Sequence, residues 1–389
     1  MRILMIHPHD VRYQPWTIRI IKLAEGLAKR GHEVRVACVE DKFAVDPNHQ
    51  RIRGIPDGPV EYTLMRSRDK QTHRNVGHVI DLAKDVDLIH FQKCFASAFI
   101  PALWASWKWN IPLHYDWDDN ETLILQAIQD FPPGFFSQAR FFEKRIPSYV
   151  DTISVASDGL WEACARMGFP EERMRKVPVG ADLEAFSPET NGSSFRLEAP
   201  LEIGDRPLVT YLGQIEGAAY ASLFVNACAL LADRFPEAIW MVVGGGKILW
   251  KVERDAYNMN LSHRIVFTDY IPSARIPEIL AATDVAVACF SDEAFVRCKS
   301  PLKVAEYLAA GKAIVATRVG EVPWMTGDAA ILVDPGSASG LASGIADLLE
   351  NRDLRHQLGR KARLRAEDEI NWDRSAQKLE EAYQVALSG

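Results

Sequence analysis

The stretch "SPLKVAEYLAAGKAIVATRVGEVPW", residues 300–324, contains one helical pattern followed by one strand pattern. Ser300 and Pro301 suit the start of a helix, and Gly311 suits the left-handed conformation that ends one. The segment "AIVAT" that follows is short and apolar, which is typical of a buried parallel strand. A helix and a strand joined by so few residues predict one unit of an α/β sheet protein.

The same alternation of short apolar strands and helical patterns runs along the whole chain. The predicted strands are "RILMIHP", "EVRVACV", "DLIHFQ", "PLHYDW" and "TISVA", then "PLVTYLG", "AIWMVVGGG", "RIVFTDYI", "VAVACF", "AIVAT" and "ILVD". Residues 187–207 lack periodicity and are rich in Ser, Pro, Gly and Asn, which indicates a linker. We therefore predict an α/β protein with two Rossmann-like domains, residues 1–186 and 208–372, whose parallel sheets face an interdomain cleft. A final helix at 373–389 is expected to pack back on the first domain.

Composition limits the classes of partner. The 389 residues are 48% hydrophobic and carry a formal net charge of -7, so the chain suffices for two cores and has no basic balance that favours nucleic acid. Its six cysteines show no CxxC spacing, which argues against a disulfide framework and structural zinc and favours a reduced cytoplasm. The start lacks the pattern of a signal peptide, and no apolar run reaches the length of a membrane span.

The helix that starts near Pro301 has the features of an anion site. In parallel sheets, ligands lie beyond the carboxyl ends of the strands, where helix N-termini attract phosphate. Lys303 adds a positive charge, and Glu306 lies about 7.5 Å along the axis from Pro301 at 1.5 Å per residue. That separation suits a diphosphate and its ribose, whose vicinal hydroxyls a carboxylate can bind. The alternative is that Glu306 only pairs with Lys303 on the helix surface.

Several motifs resemble one known family. The segments "YLGQIEG", "VVGGGK", "RIVFTDYIP", "AEGLAKRGHEV" and "PVGADLEAFSP", together with residues 300–324, resemble the retaining glycosyltransferases of family 4, which have the GT-B fold. The match is to a subgroup with a Ser-Pro-x-Lys-x-x-Glu-Tyr motif. The resemblance implies that Glu306 holds the ribose of a nucleoside diphosphate sugar. It also implies that the Ser300 hydroxyl and the amides of Leu302 and Lys303 hold the diphosphate, without a cofactor or a metal.

Other donor-binding positions depart from the family pattern. Cys298 stands where the family has the first Glu of Glu-x7-Glu, and Gln214 stands where the family has phosphate-binding basic residues. Arg297 and Lys247 are candidate substitutes, with a solvated loop charge as the alternative. Ile271 matches the position that reads the nucleobase, and a strand-end hydrophobe is its alternative. Gly213 is a further candidate donor-binding residue. Like Gln214, Lys247, Ile271 and Arg297, it lies in a predicted loop of the second domain.

The sequence "HYDWDDNE" follows a predicted strand, so Asp116, Asp118 and Asp119 should gather at its carboxyl end. By resemblance, Asp118 stands where the family has a His near the donor sugar, and Asp119 aligns with the Asp that follows. Both are candidate catalytic residues that orient hydroxyls or stabilise positive charge on the sugar. The alternatives are a metal-binding DxD and a cap for the helix "ETLILQAI", which Asn120 alone could supply.

His90 is the third candidate catalytic residue. It lies at the end of the predicted strand "LIHFQ" and matches the first His of the family's His-x-His. A satisfied core histidine is the alternative.

The segment 134–150, "GFFSQARFFEKRIPSYV", combines Phe pairs with Arg140, Lys144 and Arg145. Basic and aromatic segments of this kind lie on membrane surfaces. Packing of the Phe residues into a core is the alternative.

The sequence as a whole predicts an enzyme that moves a hexose from a nucleoside diphosphate sugar to an acceptor hydroxyl, with retention of configuration by resemblance. The acceptor is expected to be a glycan, a lipid-linked sugar or a small molecule. A sugar-nucleotide epimerase or hydrolase on the same fold is one alternative, and a catalytically silent nucleotide-binding module is another. We expect a cytoplasmic protein, with membrane association as the open alternative.

Overall fold

The computed structural model describes residues 1–12, 16–40, 55–66, 72–128, 134–198, 203–216 and 220–389. The chain divides into two compact units. The first unit contains Met1–Val179, Arg297–Ser300 and Trp372–Gly389, and the second contains Gly180–Val296 and Pro301–Asn371.

The first unit is built on a parallel sheet with the strand order β3-β2-β1-β4-β5-β6-β7. Its strands are β1 (Arg2–His7), β2 (Glu33–Val39), β3 (Glu61–Met65), β4 (Leu88–Gln92), β5 (Leu113–Trp117), β6 (Thr152–Val155) and β7 (Met174–Lys176). Its helices are α1 (Ile18–Lys29), α2 (Thr72–Leu82), α3 (Ala96–Trp109), α4 (Glu121–Ile128), α5 (Phe135–Arg145), α6 (Asp158–Arg166) and α16 (Trp372–Ser388). The strand order reverses between β1 and β4, which is where α/β sheets bind ligands.

The second unit repeats this plan with the strand order β10-β9-β8-β11-β12-β13, which reverses between β8 and β11. Its strands are β8 (Leu208–Leu212), β9 (Ile239–Val243), β10 (Ile265–Phe267), β11 (Val285–Ala288), β12 (Ala313–Thr317) and β13 (Ala330–Val333). The helices that follow the first unit's α6 in the chain are α7 (Ser193–Glu198), α8 (Tyr220–Leu231), α9 (Leu249–Asn258), α10 (Ile276–Ala282), α11 (Ala294–Arg297), α12 (Leu302–Ala309), α13 (Val322–Thr326), α14 (Ala338–Glu350) and α15 (Arg352–Asp368).

The predicted fold class is confirmed, because both sheets are parallel and helices connect their strands. All eleven predicted strands are present, and the structure adds β3 and β7. Both added strands lie at the edges of the first sheet and are only half-buried. Edge strands need no continuous apolar run, so their sequences lack the signal that marks the central strands. Within the described ranges, no helix combines the length and apolarity that crossing a bilayer requires.

The stretch 187–207 contains more structure than a linker. Residues 193–198 form α7, and residues 199–202 of the stretch lie outside the described residues. The Arg196 guanidinium of α7 donates to the backbone oxygens of Gly204 and Arg206 and lies 2.7 Å from the Asp284 carboxylate. These bonds make the segment part of the second unit, and the division of the chain falls at Val179 and Gly180. Phe195 and Ile203 of the segment are also buried in an apolar cluster of the second unit. Periodicity could not reveal this attachment because these few contacts form no regular apolar pattern in the sequence.

A buried ion pair lies inside the first unit. Arg19 of α1 donates two hydrogen bonds of 2.7 Å to the carboxylate of Asp116 in β5, and the Ser154 hydroxyl donates a third. Burial alone would raise the pKa of Asp116, but the Arg19 guanidinium holds it well below its usual range. Asp116 thus has its own partner, although its charge still contributes to raising the pKa of the nearby Asp118.

Asp116→Asn should lower the free energy of unfolding of the ligand-free protein by about 3–5 kcal/mol, because it leaves the Arg19 charge buried without a counterion. The stabilisation by Asp116 is present above its unfolded pKa of about 4 and is lost as the pH falls. Urea denaturation at pH 7 measures the loss, and the double variant Arg19→Met/Asp116→Leu should recover most of it. An unchanged urea midpoint for Asp116→Asn would contradict this account.

Candidate active site

Helix α12 begins one residue later than the sequence predicts. Pro301 takes the N-cap position with extended backbone, and the first helical residue is Leu302. The Ser300 hydroxyl accepts a hydrogen bond from the backbone N–H of Val179 at 3.1 Å. The N-cap residue is therefore Pro301 and not Ser300, and Pro301 has no capping side chain and no amide hydrogen of its own. The start of α12 presents the backbone amides of Leu302 and Lys303.

The Lys303 ammonium lies over two buried aromatic rings. It is 4.3 Å from the ring centroid of Tyr211 in β8 and 5.3 Å from that of Phe290, which follows β11. A Cβ atom at Gly213 would lie 2.5 Å from the Lys303 Nζ, so the glycine makes room for the ammonium. The cation–π contacts fix a positive charge at the carboxyl ends of β8 and β11, the two strands between which the sheet order reverses.

Glu306 lies one turn further along α12 and is half-buried. Its carboxylate forms no hydrogen bond and no ion pair with any residue that the structure describes, so the surface pair with Lys303 is not formed. Burial raises the pKa of Glu306 to about 8, and the Lys303 charge opposes this shift only in part. A half-buried carboxyl group without a partner is costly, and ligand hydroxyls would satisfy it.

Next to Glu306, the Tyr307 side chain holds α12 against the sheet. Its buried hydroxyl accepts a hydrogen bond of 2.9 Å from the backbone N–H of Leu212, the last residue of β8. The apolar pattern of α12 explains the burial of Tyr307, and the bond fixes the register of the helix on the strand. Lys303 and Glu306 are therefore carried by a rigid element.

The glycine turn after β9 supports the loop that contains Gly213. A Cβ atom at Gly244 would lie 2.2 Å from the Gly213 carbonyl oxygen, and one at Gly246 would lie 2.3 Å from that of Ile215. The Ile215 N–H donates to the Gly245 oxygen at 2.9 Å. These glycines let two loops pack against each other.

The other candidate donor-binding residues lie on neighbouring loops or in the first unit. Gln214 and Lys247 are exposed and follow the adjacent strands β8 and β9. Ile271 follows β10 and packs in part on the apolar cluster of the second unit. Arg297 is exposed and, like Ser300, belongs to the first unit. Their roles stay predictions.

A lysine and three carboxylates form a second site, at the carboxyl end of the first sheet. Lys93 follows β4, and its ammonium lies 2.7 Å from Glu121 Oε1, 3.2 Å from Asp118 Oδ2 and 3.5 Å from Asp119 Oδ2. The Gln92 side-chain amide donates to Asp118 Oδ2 at 2.8 Å. We call Lys93, Asp118, Asp119 and Glu121 the lysine–carboxylate cluster.

Charge balance governs the lysine–carboxylate cluster. Burial would lower the pKa of Lys93, but the three carboxylates raise it well above its usual range, so the lysine is charged. Burial raises the pKa of Glu121 to about 7 and raises that of Asp118, while Lys93 opposes both shifts. One cation facing three acids leaves excess negative charge, which suits a ligand with hydroxyl donors or developing positive charge.

A metal ion fits this cluster poorly. One oxygen from each of Asp118, Asp119 and Glu121 lies within 4.8 Å of the others, a spacing that suits a divalent cation. The Lys93 ammonium already lies among these oxygens and supplies the countercharge, so a cation would have to displace it. Of the two acids of the DxD alternative, Asp116 is paired with Arg19 and Asp118 lies 3.2 Å from the Lys93 ammonium, and that alternative stays untested.

The helix-cap alternative for Asp118 and Asp119 is also wrong. Asn120 accepts a hydrogen bond from the Leu123 N–H at 3.0 Å. The buried carboxylate of Glu143 in α5 accepts from the backbone N–H of Glu121 at 2.9 Å. The start of α4 is thus capped by other residues, and the two aspartates face Lys93.

Sequence reasoning missed Lys93 and Glu121. Lys93 directly follows a predicted strand, and the carboxyl ends of neighbouring parallel strands meet at one edge of a sheet. The position of Lys93 directly after a strand was therefore the feature of the sequence that could have identified it. Lys93 has a positive φ of 66°, an uncommon conformation for lysine that pattern reading does not anticipate.

His90 lies in the core of the first unit. It is fully buried, its Nδ1 shares a hydrogen bond of 2.8 Å with the Tyr383 hydroxyl of α16, and its ring stacks on His114. Burial lowers the pKa of His90 to about 4, so the ring is neutral at pH 7. These are the contacts of a core histidine, and its catalytic role stays a prediction.

Comparison with known families agrees with this arrangement. Residues 195–365 match the family described as glycosyl transferases group 1, and residues 18–180 match the glycosyl transferase 4-like domain. Both units are parallel α/β sheets with candidate ligand groups at the point where the strand order reverses. The chain belongs to the glycosyltransferases with the GT-B fold and is an enzyme of that class.

Individual relatives are more distant. The chain is 26% identical to the GDP-mannose-dependent alpha-(1-6)-phosphatidylinositol monomannoside mannosyltransferase of Mycolicibacterium smegmatis, over 62% of this chain and 64% of that protein. It is 23% identical to the D-inositol 3-phosphate glycosyltransferase of Corynebacterium glutamicum, over 100% and 97%. Its fold is similar to that of Anabaena Alr3699/HepE in complex with UDP and glucose, with a TM-score of 0.75 and 17% identity over 99% of both chains.

Glu306→Gln should stabilise the ligand-free protein at pH 8 and have little effect at pH 5. In the folded state the group has a pKa of about 8, above its unfolded value, so the free energy of unfolding falls as the pH rises from 5 to 8. The gain for the glutamine variant at pH 8 should be about 1–2 kcal/mol, allowing for partial solvent access. Urea denaturation measures it, and Glu253→Gln on the exposed face of α9 is the control. An equal gain at both pH values would contradict the burial of Glu306.

Proposed function

We propose that this glycosyltransferase moves a hexose from a nucleoside diphosphate hexose to an acceptor hydroxyl, with retention of configuration. The observation that carries the proposal is the half-buried Glu306 carboxylate, which has no partner among the described residues and lies one turn beyond the Lys303 ammonium. In this proposal Glu306 accepts hydrogen bonds from the ribose hydroxyls. Donor hydroxyls then satisfy a group that the protein itself leaves unsatisfied.

The diphosphate would lie at the start of α12. The amides of Leu302 and Lys303 point along the helix axis, and the Lys303 ammonium is held beside them by Tyr211. Negative charge grows on the phosphate as the glycosidic bond breaks. These groups therefore stabilise the transition state more than the bound donor. We also propose that the departing phosphate takes the proton of the acceptor hydroxyl, which is compatible with retention.

The named relatives support the class of donor and of acceptor. One is a GDP-mannose-dependent enzyme that acts on phosphatidylinositol monomannoside, and another is a D-inositol 3-phosphate glycosyltransferase. A structural neighbour is in complex with UDP and glucose. We propose a nucleoside diphosphate hexose as donor and a sugar or cyclitol hydroxyl as acceptor group, either free or attached to a lipid.

We propose that Asp118 and Asp119 contact reacting sugars or acceptor hydroxyls. Lys93 and Gln92 hold the Asp118 carboxylate in one orientation, as a positioned catalytic group requires. Its negative charge would stabilise positive charge on the sugar ring as the bond breaks. Lys93 acts through the carboxylates and is a positioning residue.

Donor binding to the folded protein should raise its melting temperature, and the size of the shift should identify the nucleotide. We expect one of the UDP-, GDP-, ADP- and dTDP-hexoses to raise it most. Glu306→Ala should reduce the affinity for that donor at least about tenfold, because the proposed hydrogen-bond acceptor for the ribose hydroxyls is removed. Titration calorimetry measures the affinity, and Glu253→Ala is the matched control. Unchanged affinity in Glu306→Ala would refute the assigned role.

Asp118→Asn should lower turnover about a hundredfold and change donor affinity little, because the charge acts mainly in the transition state. Steady-state kinetics with the donor found in the melting experiment measures turnover, and calorimetry measures affinity. Product analysis with and without acceptor separates a transferase from a hydrolase or an epimerase. Wild-type turnover in the variant would exclude a catalytic role for Asp118.

A further inference from the structure

Helix α3 carries an exposed row of tryptophans. Its apolar inner face, including Phe99 and Ala102, packs into the core of the first unit. Trp104 and Trp107 are 52% and 57% exposed, and Trp109 in the last turn is also exposed. The rings of Trp104 and Trp107 have centroids 5.8 Å apart, so they form one continuous surface. A contiguous exposed apolar surface of this kind marks an interaction site.

The aromatic surface continues beyond α3. The Trp107 ring lies 6.3 Å from that of Tyr149, an exposed residue in the turn after α5. Underneath, the buried Phe99 ring contacts the rings of Tyr149 and Phe142. We call the exposed members the aromatic patch: Trp104, Trp107, Trp109, Phe141 and Tyr149.

Phe141 joins α5 to this surface. It is 56% exposed, and its ring lies 5.5 Å from that of Phe142, which is partly buried on the same core. The patch therefore rests on packed aromatic side chains and on two helices. Its members belong to α3, to α5 and to the short turn after α5.

Basic side chains surround the aromatic patch. The exposed residues of α3 and α5 include four cations: Lys108, Arg140, Lys144 and Arg145. Arg145 lies 5.6 Å from the Phe141 ring centroid, and Lys108 lies 5.8 Å from that of Trp109. The one acid on these two helices, Glu143, is buried and accepts backbone hydrogen bonds at the start of α4. A chain with a net charge of -7 thus carries a positive aromatic face on these helices.

We propose that this face docks the protein on an anionic bilayer surface. Tryptophan and tyrosine rings have an apolar body and a polar edge, so they favour the interface between lipid headgroups and acyl chains. Lys and Arg next to them attract anionic lipids. A second copy of the chain is a poorer occupant, because two faces that each carry four cations repel one another. The inference uses none of the donor-site residues.

Vesicle sedimentation tests the proposal with the full chain. The wild type should sediment with vesicles of phosphatidylcholine and phosphatidylglycerol and remain mostly in the supernatant with phosphatidylcholine alone. The charge variant Arg140→Gln/Lys144→Gln/Arg145→Gln should lose at least about tenfold in partition at low salt. The aromatic variant Trp104→Ser/Trp107→Ser/Phe141→Ser should lose binding at low and high salt. These substitutions remove apolar side chains that insert into the bilayer, and salt does not screen that contribution.

Controls separate docking from misfolding and from protein association. Tyr257→Ser removes a 71% exposed aromatic of α9 in the second unit and should leave vesicle binding unchanged. Circular dichroism and the donor-induced melting shift should match the wild type in every variant, which keeps this result separate from the test of the donor site. Failure of the wild type to bind anionic vesicles would overturn the proposal. Equal binding by the aromatic variant would also overturn it, as would a wild-type oligomer that this variant dissociates.

Discussion

The reversal of strand order in each parallel sheet is the constraint on which both candidate sites depend. Every strand of a parallel sheet delivers its carboxyl end to the same edge, and the loops diverge where the order reverses. In the first unit this occurs between β1 and β4, and Lys93 directly follows β4. In the second it occurs between β8 and β11, which lead into Gly213 and Phe290 beside the Lys303 ammonium. The topology thus gathers charged groups that are far apart in sequence.

The two sites treat buried charge in opposite ways. In the lysine–carboxylate cluster, Lys93 neutralises part of the charge of three acids and holds their orientation. On α12, Glu306 is left without a partner and its pKa is raised, so the ligand-free protein bears a cost that a ligand can remove. Such a local loss of stability is common at functional sites, because the groups are arranged for the bound state.

The first unit contains the lysine–carboxylate cluster at the edge of its sheet and the aromatic patch on α3 and α5. Neighbouring aromatic side chains divide the roles: Phe99 and Phe142 pack in the core, while Trp107 and Phe141 are exposed on the surface outside it. In the sequence, the α3 segment reads only as an apolar run interrupted by Pro101, and residues 134–150 read as either core or membrane surface. In the structure Phe142 packs on the core while Phe141 on the outer face of α5 is exposed, so the core reading holds for part of the segment and the membrane reading stays a prediction.

The sequence by itself determined the fold class and the central strands, because a strand buried on both faces needs a continuous apolar run. It also made Lys303 and Glu306 candidate donor-binding residues, since charges in an otherwise apolar helix stand out. Tertiary structure alone decided which polar groups pair. The Val179 amide donates to the Ser300 hydroxyl, and Arg19 pairs with Asp116. Glu121 and Lys93, 28 positions apart, meet only when the strands are aligned. Periodicity records what each segment buries, whereas charge pairing depends on distances that exist only after the sheets have formed.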